Sequence, residues 1–198
     1  METALGVVLA YLLGSVPFGL LVSRAVAGKD PRGVGSGNIG ATNVLRSSGP
    51  AAALITLAGD GLKGWAAPWA AMQLGLGQWE TCAMALGAFL GHLFPLYLRF
   101  KGGKGVATGA GILAAVAPIA LAGCTALFLL GVILTRFVSV GSLLAAVGAP
   151  VVVFLLRGTG PNFYLAILLG SGVIWKHAEN LRRLATGKEQ RLGGPRRG

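Results

Sequence analysis

The sequence predicts an all-α, polytopic membrane protein, and three observations predict it. Of the 198 residues, 54% are hydrophobic and only 12% charged, with a mean hydropathy of +0.72. A soluble domain of that length carries about a quarter charged residues. The apolar residues gather into runs near or above the length of a membrane span, without the alternating, turn-punctuated pattern of a transmembrane barrel. The cations cluster between those runs: all of the 17 except Lys63 and Arg157 fall at 24–46, 99–104, Arg136 or the stretch from Lys176 onward.

Taken in order, residues 4–26 form a first span, interrupted at Gly14-Ser15-Val16-Pro17-Phe18-Gly19. A proline there is tolerated if neighbouring helices or polar groups satisfy the freed carbonyls. Residues 27–50 read as a first loop rich in Gly, Ser and Asn, and further spans follow at roughly 51–76 and 79–98. Gly87 with Gly91, and Gly105 with Gly109, have the four-residue spacing that lets helix backbones approach closely. Residues 106–135 are an apolar stretch broken near Pro118, and 138–156 and 161–178 are the last two candidate spans. One crossing by 106–135 would put the basic C-terminal stretch opposite the basic loop at 99–104. Two short crossings of about 15 residues each, below the usual span length, place all the basic loops on one face. The positive-inside rule favours the second choice. The expectation is seven transmembrane helices in a single domain over 1–198, with the N-terminus out and the C-terminus in the cytoplasm.

The charge of +11 would point to nucleic acid in a soluble protein. Its placement beside apolar runs points instead to topology and anionic membrane lipids, and no nucleic-acid partner is expected. Ala25-Val26-Ala27 imitates a signal-peptide cleavage site, but Glu2 precedes the apolar run and the cations follow it, as in an uncleaved helix. Cys82 and Cys124 lie inside apolar runs and read as small hydrophobes, with no metal or disulfide spacing.

Three polar stretches, 33–46, 91–108 and 176–189, share the cytoplasmic face on that topology. The first holds Ser36, Asn38, Thr42 and Asn43, short hydrogen-bonding side chains suited to helix caps and anions, and Arg46, a bidentate phosphate donor. Its GxGxxG match lacks the preceding strand of a dinucleotide site. The second runs from Gly91-His92-Leu93-Phe94-Pro95 into Arg99-Phe100-Lys101-Gly102-Gly103-Lys104-Gly105. Its glycines let backbone N–H groups converge on an anion, although no Walker motif is present because Gly105 follows Lys104. A topology-setting basic flank explains part of the same loop, and His92 reads either as a helix-packing residue or as a site residue. The third, Lys176-His177-Ala178-Glu179-Asn180, sets His177 and Asn180 on one helical face, extended by Arg183. Asp60 and Lys63, three apart within the second span, read as an intrahelical pair or as an edge of the site.

Ser36 to Asn43, Gly91 to Pro95 continuing through Phe100 to Thr108, and Lys176 to Asn180 with Arg183-Leu184 and Gly187-Lys188-Glu189 resemble the three cytoplasmic motifs of the bacterial acyl-phosphate-dependent glycerol-3-phosphate acyltransferases, the PlsY family. The match covers most of the chain. It departs mildly at Tyr97, where Phe is usual, and at Leu181, where a β-branched residue is common. The resemblance implies a multi-pass enzyme of the bacterial inner membrane with its active site facing the cytoplasm. It implies acyl transfer from acyl phosphate to the sn-1 hydroxyl of glycerol 3-phosphate, giving lysophosphatidic acid, with neither acyl-CoA nor acyl carrier protein as donor. The third motif would bind glycerol 3-phosphate and the second the acyl phosphate through its glycines. An upstream enzyme that makes acyl phosphate is the one protein partner this leaves open.

An acyl phosphate is already activated, so positioning and charge neutralisation suffice, and no cofactor or metal is expected. No His-x4-Asp motif occurs, since Tyr97 and Arg182 lie five residues after His92 and His177, and there is no nucleophile elbow. Direct attack without an acyl-enzyme follows. The expected catalytic residues are His177, Lys104, Ser36 and Asn180. The expected substrate-binding residues are Arg46, Asn38, Thr42, Asn43, His92, Lys101, Gly102, Gly103 and Gly105. The proton acceptor is either His177 or the acyl phosphate itself. A permease for a phosphorylated solute would need a polar path to both faces, and a lipid-binding scaffold leaves the histidines unexplained.

Overall fold

The computed structural model describes residues 2–194; Arg196 and Arg197 of the expected basic tail lie outside the described residues. Among the described residues all regular structure is helical, in ten α-helices with two short 3-10 turns. The helices cluster into two compact units, residues 1–116 and 117–198.

The first unit contains α1 (Glu2–Gly14), α2 (Phe18–Ala27), α3 (Ala41–Ser48), α4 (Pro50–Gln73), α5 (Gln78–Leu93) and α6 (Val106–Val116). The expected interruption of the first span is real: α1 stops at Gly14 and α2 starts after Pro17. Ser15 donates its hydroxyl back to the Tyr11 carbonyl (2.9 Å). The expected loop at 27–50 is partly helical. A 3-10 turn at Pro31–Gly33 is capped by the Asp30 side chain, and α3 occupies its second half. The apolar pattern missed α3 because only one face, with Val44 buried at its centre, meets the protein.

Helix α4 packs against all five other helices of this unit. Glycines let the backbones meet. A side chain at Gly14 would run into the Ala88 carbonyl, one at Gly91 into the Tyr11 carbonyl, and one at Gly87 would sit 2.8 Å from the Val7 carbonyl. The Gly87/Gly91 expectation therefore holds, on the α1–α5 contact. The Gly105/Gly109 pairing does not. Gly105 precedes α6 with φ of +83°, and Gly109 meets only the Phe89 ring edge, at 3.9 Å. The α4–α6 contact instead uses Gly64 against the Thr108 carbonyl and Gly111 against the Gly61 carbonyl.

The second unit contains α7 (Pro118–Thr135), α8 (Val138–Arg157), α9 (Pro161–Lys176) and α10 (Ala178–Ala185). The break expected near Pro118 falls between Val116 and Pro118, but the two halves are unequal, 11 and 18 residues. Arg136, left-handed at φ 64°, reverses the chain between α7 and α8 and closes α7 with an N–H to the Val132 carbonyl (2.7 Å). Helix α9 gives way to α10 at His177, one residue later than its last turn.

Among the described residues, four helical segments are long and apolar enough to cross a bilayer: Glu2–Ala27, Gln78–Leu98, Pro118–Thr135 and Val138–Arg157. The 24-residue α4 also has the length, about 36 Å at 1.5 Å per residue, but carries Asp60 and Lys63 midway. Ile133, Leu134 and Leu155 stand more than 70% exposed. Apolar surface on that scale is tolerated where lipid is the solvent.

Candidate active site

In the first unit the polar loop of the first stretch is tied together from inside. Asn43, buried at the start of α3, donates its amide to the carbonyls of Pro31 (2.7 Å) and Asn38 (2.7 Å) and accepts the Ser36 N–H (3.0 Å). Gly35, at φ +58°, has no room for a side chain beside the Asn43 amide oxygen. The Asn38 side chain accepts the Gly40 N–H (2.8 Å), which caps the entry to α3. Asn43 and Asn38 thus shape the loop, and they hold Ser36, Thr42 and Arg46 half-buried along it. The loop is anchored to α2 at Gly19, whose missing side chain leaves room for the Ile39 carbonyl. At the loop's outer edge Asp30 bridges Arg32 (2.6 Å) and Arg24 (3.1 Å). The Arg32 hydrogen bond holds the Asp30 carboxyl well below the usual carboxylate range.

The second stretch leaves α5 at Leu93 and turns at Leu96–Leu98, held by Tyr11, which donates its hydroxyl to the Phe94 carbonyl (2.7 Å). Arg99 and Phe100 follow, both left-handed, at φ 51° and 62°. Two non-glycine residues in that region store about 1 kcal/mol or more each. The glycines then fit against His92. Gly103 donates its N–H to the His92 carbonyl (3.1 Å), and a side chain on Gly103 would collide with Nε2 of the ring. A side chain on Gly102 would meet the His92 carbonyl, and one on Gly105 the Phe89 ring. The loop delivers the chain to the N-terminus of α6, whose first-turn amides lack intrahelical acceptors and whose dipole favours an anion. Lys104 is half-buried in this loop, whereas Lys101 and Arg99 are exposed.

Behind the loop lies the pair left open by the sequence. Lys63 Nζ is 2.9 Å from Asp60 Oδ1, the two side chains only 2% and 4% exposed. The same Oδ1 lies 3.5 Å from His92 Nδ1. The intrahelical pair is therefore present within α4, and Asp60 also faces His92, an expected substrate-binding residue.

In the second unit, His177 sits buried at the α9–α10 junction with Nδ1 2.8 Å from the Val173 carbonyl. A carbonyl can only accept, so Nδ1 carries the proton and Nε2 is the basic nitrogen. One turn on, buried Asn180 donates its amide to Glu189 Oε1 (2.6 Å), which also takes the Ser139 hydroxyl (2.8 Å). Arg183 binds Glu189 Oε2 through Nε (2.8 Å) and Glu179 through Nη1 (2.7 Å). Burial raises the Glu189 pKa, but the hydrogen bonds from Arg183, Asn180 and Ser139 outweigh it and hold the carboxyl below its ordinary value. Sequence reasoning placed Glu189 in a motif without a role and missed Ser139. An acid six residues after Arg183 was the available signal; Ser139, 50 residues away in sequence, gave none.

A sequence model of the family described as Glycerol-3-phosphate acyltransferase matches residues 4–187. Curated relatives of that name include one from Methylobacillus flagellatus, 48% identical over 194 residues and spanning 98% of both chains. Another, from Dechloromonas aromatica, is 44% identical over 197 residues and spans 100% of both. Among solved structures, the glycerol 3-phosphate form of PlsY (YgiH), an integral membrane glycerol 3-phosphate acyltransferase, superposes with a TM-score of 0.93 at 36% identity, covering 98% of this chain and 96% of that one. Its lysophosphatidic acid form gives 0.89 at 34%, covering 96% and 95%. The chain is an all-helical integral membrane protein, and it belongs to the glycerol-3-phosphate acyltransferase family.

Proposed function

We propose that the chain moves a fatty acyl group from acyl phosphate to the sn-1 hydroxyl of glycerol 3-phosphate, forming lysophosphatidic acid and phosphate, the first acylation of bacterial phospholipid synthesis. The observation that carries the donor assignment is the glycine loop at 102–105, which presents Lys104 and leads into the N-terminus of α6. Backbone amides, a helix dipole and one ammonium suit a phosphate held next to lipid. Membership in the family displaces the permease and scaffold readings. Residues 1–198 act as one acyltransferase domain.

In this reading the sn-1 oxygen attacks the acyl carbonyl carbon, the carbon–oxygen bond to phosphate breaks, and phosphate leaves with the bonding pair. Lys104 and Arg46 neutralise phosphate charge, with Lys101 contributing at the rim. Gly102, Gly103 and Gly105 give the donor backbone access, His92 supports them, and Ser36, Thr42, Asn38 and Asn43 orient substrate through the first loop. His177 and Asn180 hold glycerol 3-phosphate. The hydroxyl proton goes to phosphate or to His177 Nε2, and His177→Gln decides between them. Retained activity with an unchanged pH profile assigns the proton to the substrate; loss of activity together with the low-pH limb assigns it to His177. No acyl-enzyme forms.

The same reading has seven spans, the N-terminus outside, the C-terminus and active site at the cytoplasmic face of the inner membrane, and acyl phosphate supplied by an upstream enzyme. The basic loops support it through the positive-inside rule. Purified protein given palmitoyl phosphate and glycerol 3-phosphate should release lysophosphatidic acid and phosphate in equal amounts. No product from folded protein would overturn the donor assignment, and labelling of a Lys188→Cys variant from outside intact cells, above the wild-type background, would overturn the orientation.

A further inference from the structure

We propose that Asp60 and Lys63 are positioning residues for the donor site, a buried ion pair that fixes the glycine loop through His92; this rests on the reading of that loop as the acyl-phosphate site.

The pair reaches two of the breaks between helices in the first unit. On one side Lys63 Nζ donates to the Val16 carbonyl (2.8 Å), one of the groups freed where Pro17 separates α1 from α2, and lies 5.9 Å over the Phe18 ring. On the other, Asp60 Oδ1 faces His92 Nδ1 near the end of α5. His92 passes the constraint on at two points. Its carbonyl takes the Gly103 N–H, and its ring edge at Nε2 fills the space that a Gly103 side chain would need. A rotation of the imidazole therefore displaces Gly103, and with it the amides on either side of Lys104.

Packing alone does not call for these residues. Two charges in mid-helix, nearly fully buried, are costly to desolvate, and apolar side chains of similar volume stabilise such positions as well or better. An apolar pair cannot cap the Val16 carbonyl or orient an imidazole. His92 and Asp60 resemble a catalytic dyad in composition only. The ring edge opposite Asp60 meets backbone at Gly103, so the pair acts on the loop and not on substrate.

The test is steady-state kinetics of the full chain in lipid nanodiscs with palmitoyl phosphate and glycerol 3-phosphate. Asp60→Asn should raise KM for palmitoyl phosphate about tenfold, the scale of one lost charge contact on the imidazole. KM for glycerol 3-phosphate and the pH profile of kcat should stay as in wild type. Adding His92→Asn should produce no further rise, because both changes cut one linkage. Asp60→Asn with Lys63→Gln leaves no unpaired charge and should show the same selective rise. Wild-type kinetics in these variants, equal rises for both substrates, additive effects of Asp60→Asn and His92→Asn, or failure of the charge-free double variant to fold would each overturn the proposal. A wild-type chain that makes no product from palmitoyl phosphate removes the donor reading and this proposal with it. Normal wild-type turnover with unaffected variants removes this proposal alone.

Discussion

The two units carry their buried charges differently. In the first, Asp60 and Lys63 sit in the middle of the longest helix, sealed from solvent, with His92 and the Val16 carbonyl as neighbours. In the second, the charges gather at a helix end. Glu189 is 8% exposed, Arg183 24% and Glu179 75%, so the cluster grades from buried to wet. A mid-helix pair is all or nothing, because removing one ion strands the other in an apolar medium. A cluster that grades into water can lose a member and let solvent replace it. The first arrangement suits a loop that must keep one shape, the second a polar surface that solvent can reach.

The predictions set the two arrangements against each other. Lys104→Ala should abolish turnover, to below about 1% of wild type by initial-rate assay, as expected for loss of a charge-stabilising group at the reacting phosphate. Lys63→Met should cost ~3–5 kcal/mol of stability by stranding Asp60, read as a large fall in Tm or loss of folded protein. Glu189→Gln should cost less, about 1–3 kcal/mol, because the amide oxygen in the place of Oε2 can still accept from Arg183 while the NH2 replaces Oε1. Its larger signature should be a raised KM for glycerol 3-phosphate, since Asn180 loses its anchor. Equal stability losses in Lys63→Met and Glu189→Gln would break the contrast.

The Glu189 carboxyl also sets a pH window. Its folded pKa lies below the ordinary value of 4.5. The clasp is therefore fully present above that value and is lost only as pH falls through the depressed folded pKa. A thermal-shift series should show wild type losing stability below pH 4.5 and Glu189→Gln losing less over the same range. Arg99→Ala is the smallest change. It removes an exposed cation from the glycine loop while leaving Lys104, and activity should fall no more than about threefold by the same assay.

Family membership was legible because the three motifs are contiguous stretches of chain. The helices at 50–73, 78–93 and 138–157 were legible because long, mainly apolar runs lie under each, with Asp60 and Lys63 the charged residues inside the first. The short α3 was not, since only part of its surface meets the protein. The Gly105/Gly109 spacing misled because a four-residue interval describes a helical face only if both residues are helical, and Gly105 is in the loop.

Taken by itself, the sequence determined the all-α membrane class, the family's contiguous motifs and the break points at Pro17 and Pro118. Those follow from hydropathy, from proline's missing N–H and from local motifs. The tertiary structure alone decided what the polar residues do for one another: Asn43 as the tie of its loop, Glu189 as the anchor of Asn180 and Ser139, and Asp60 joined to both Lys63 and His92. Apart from the i, i+3 spacing of Asp60 and Lys63, these contacts join residues 5 to 50 positions apart, a matter of how the helices and loops pack.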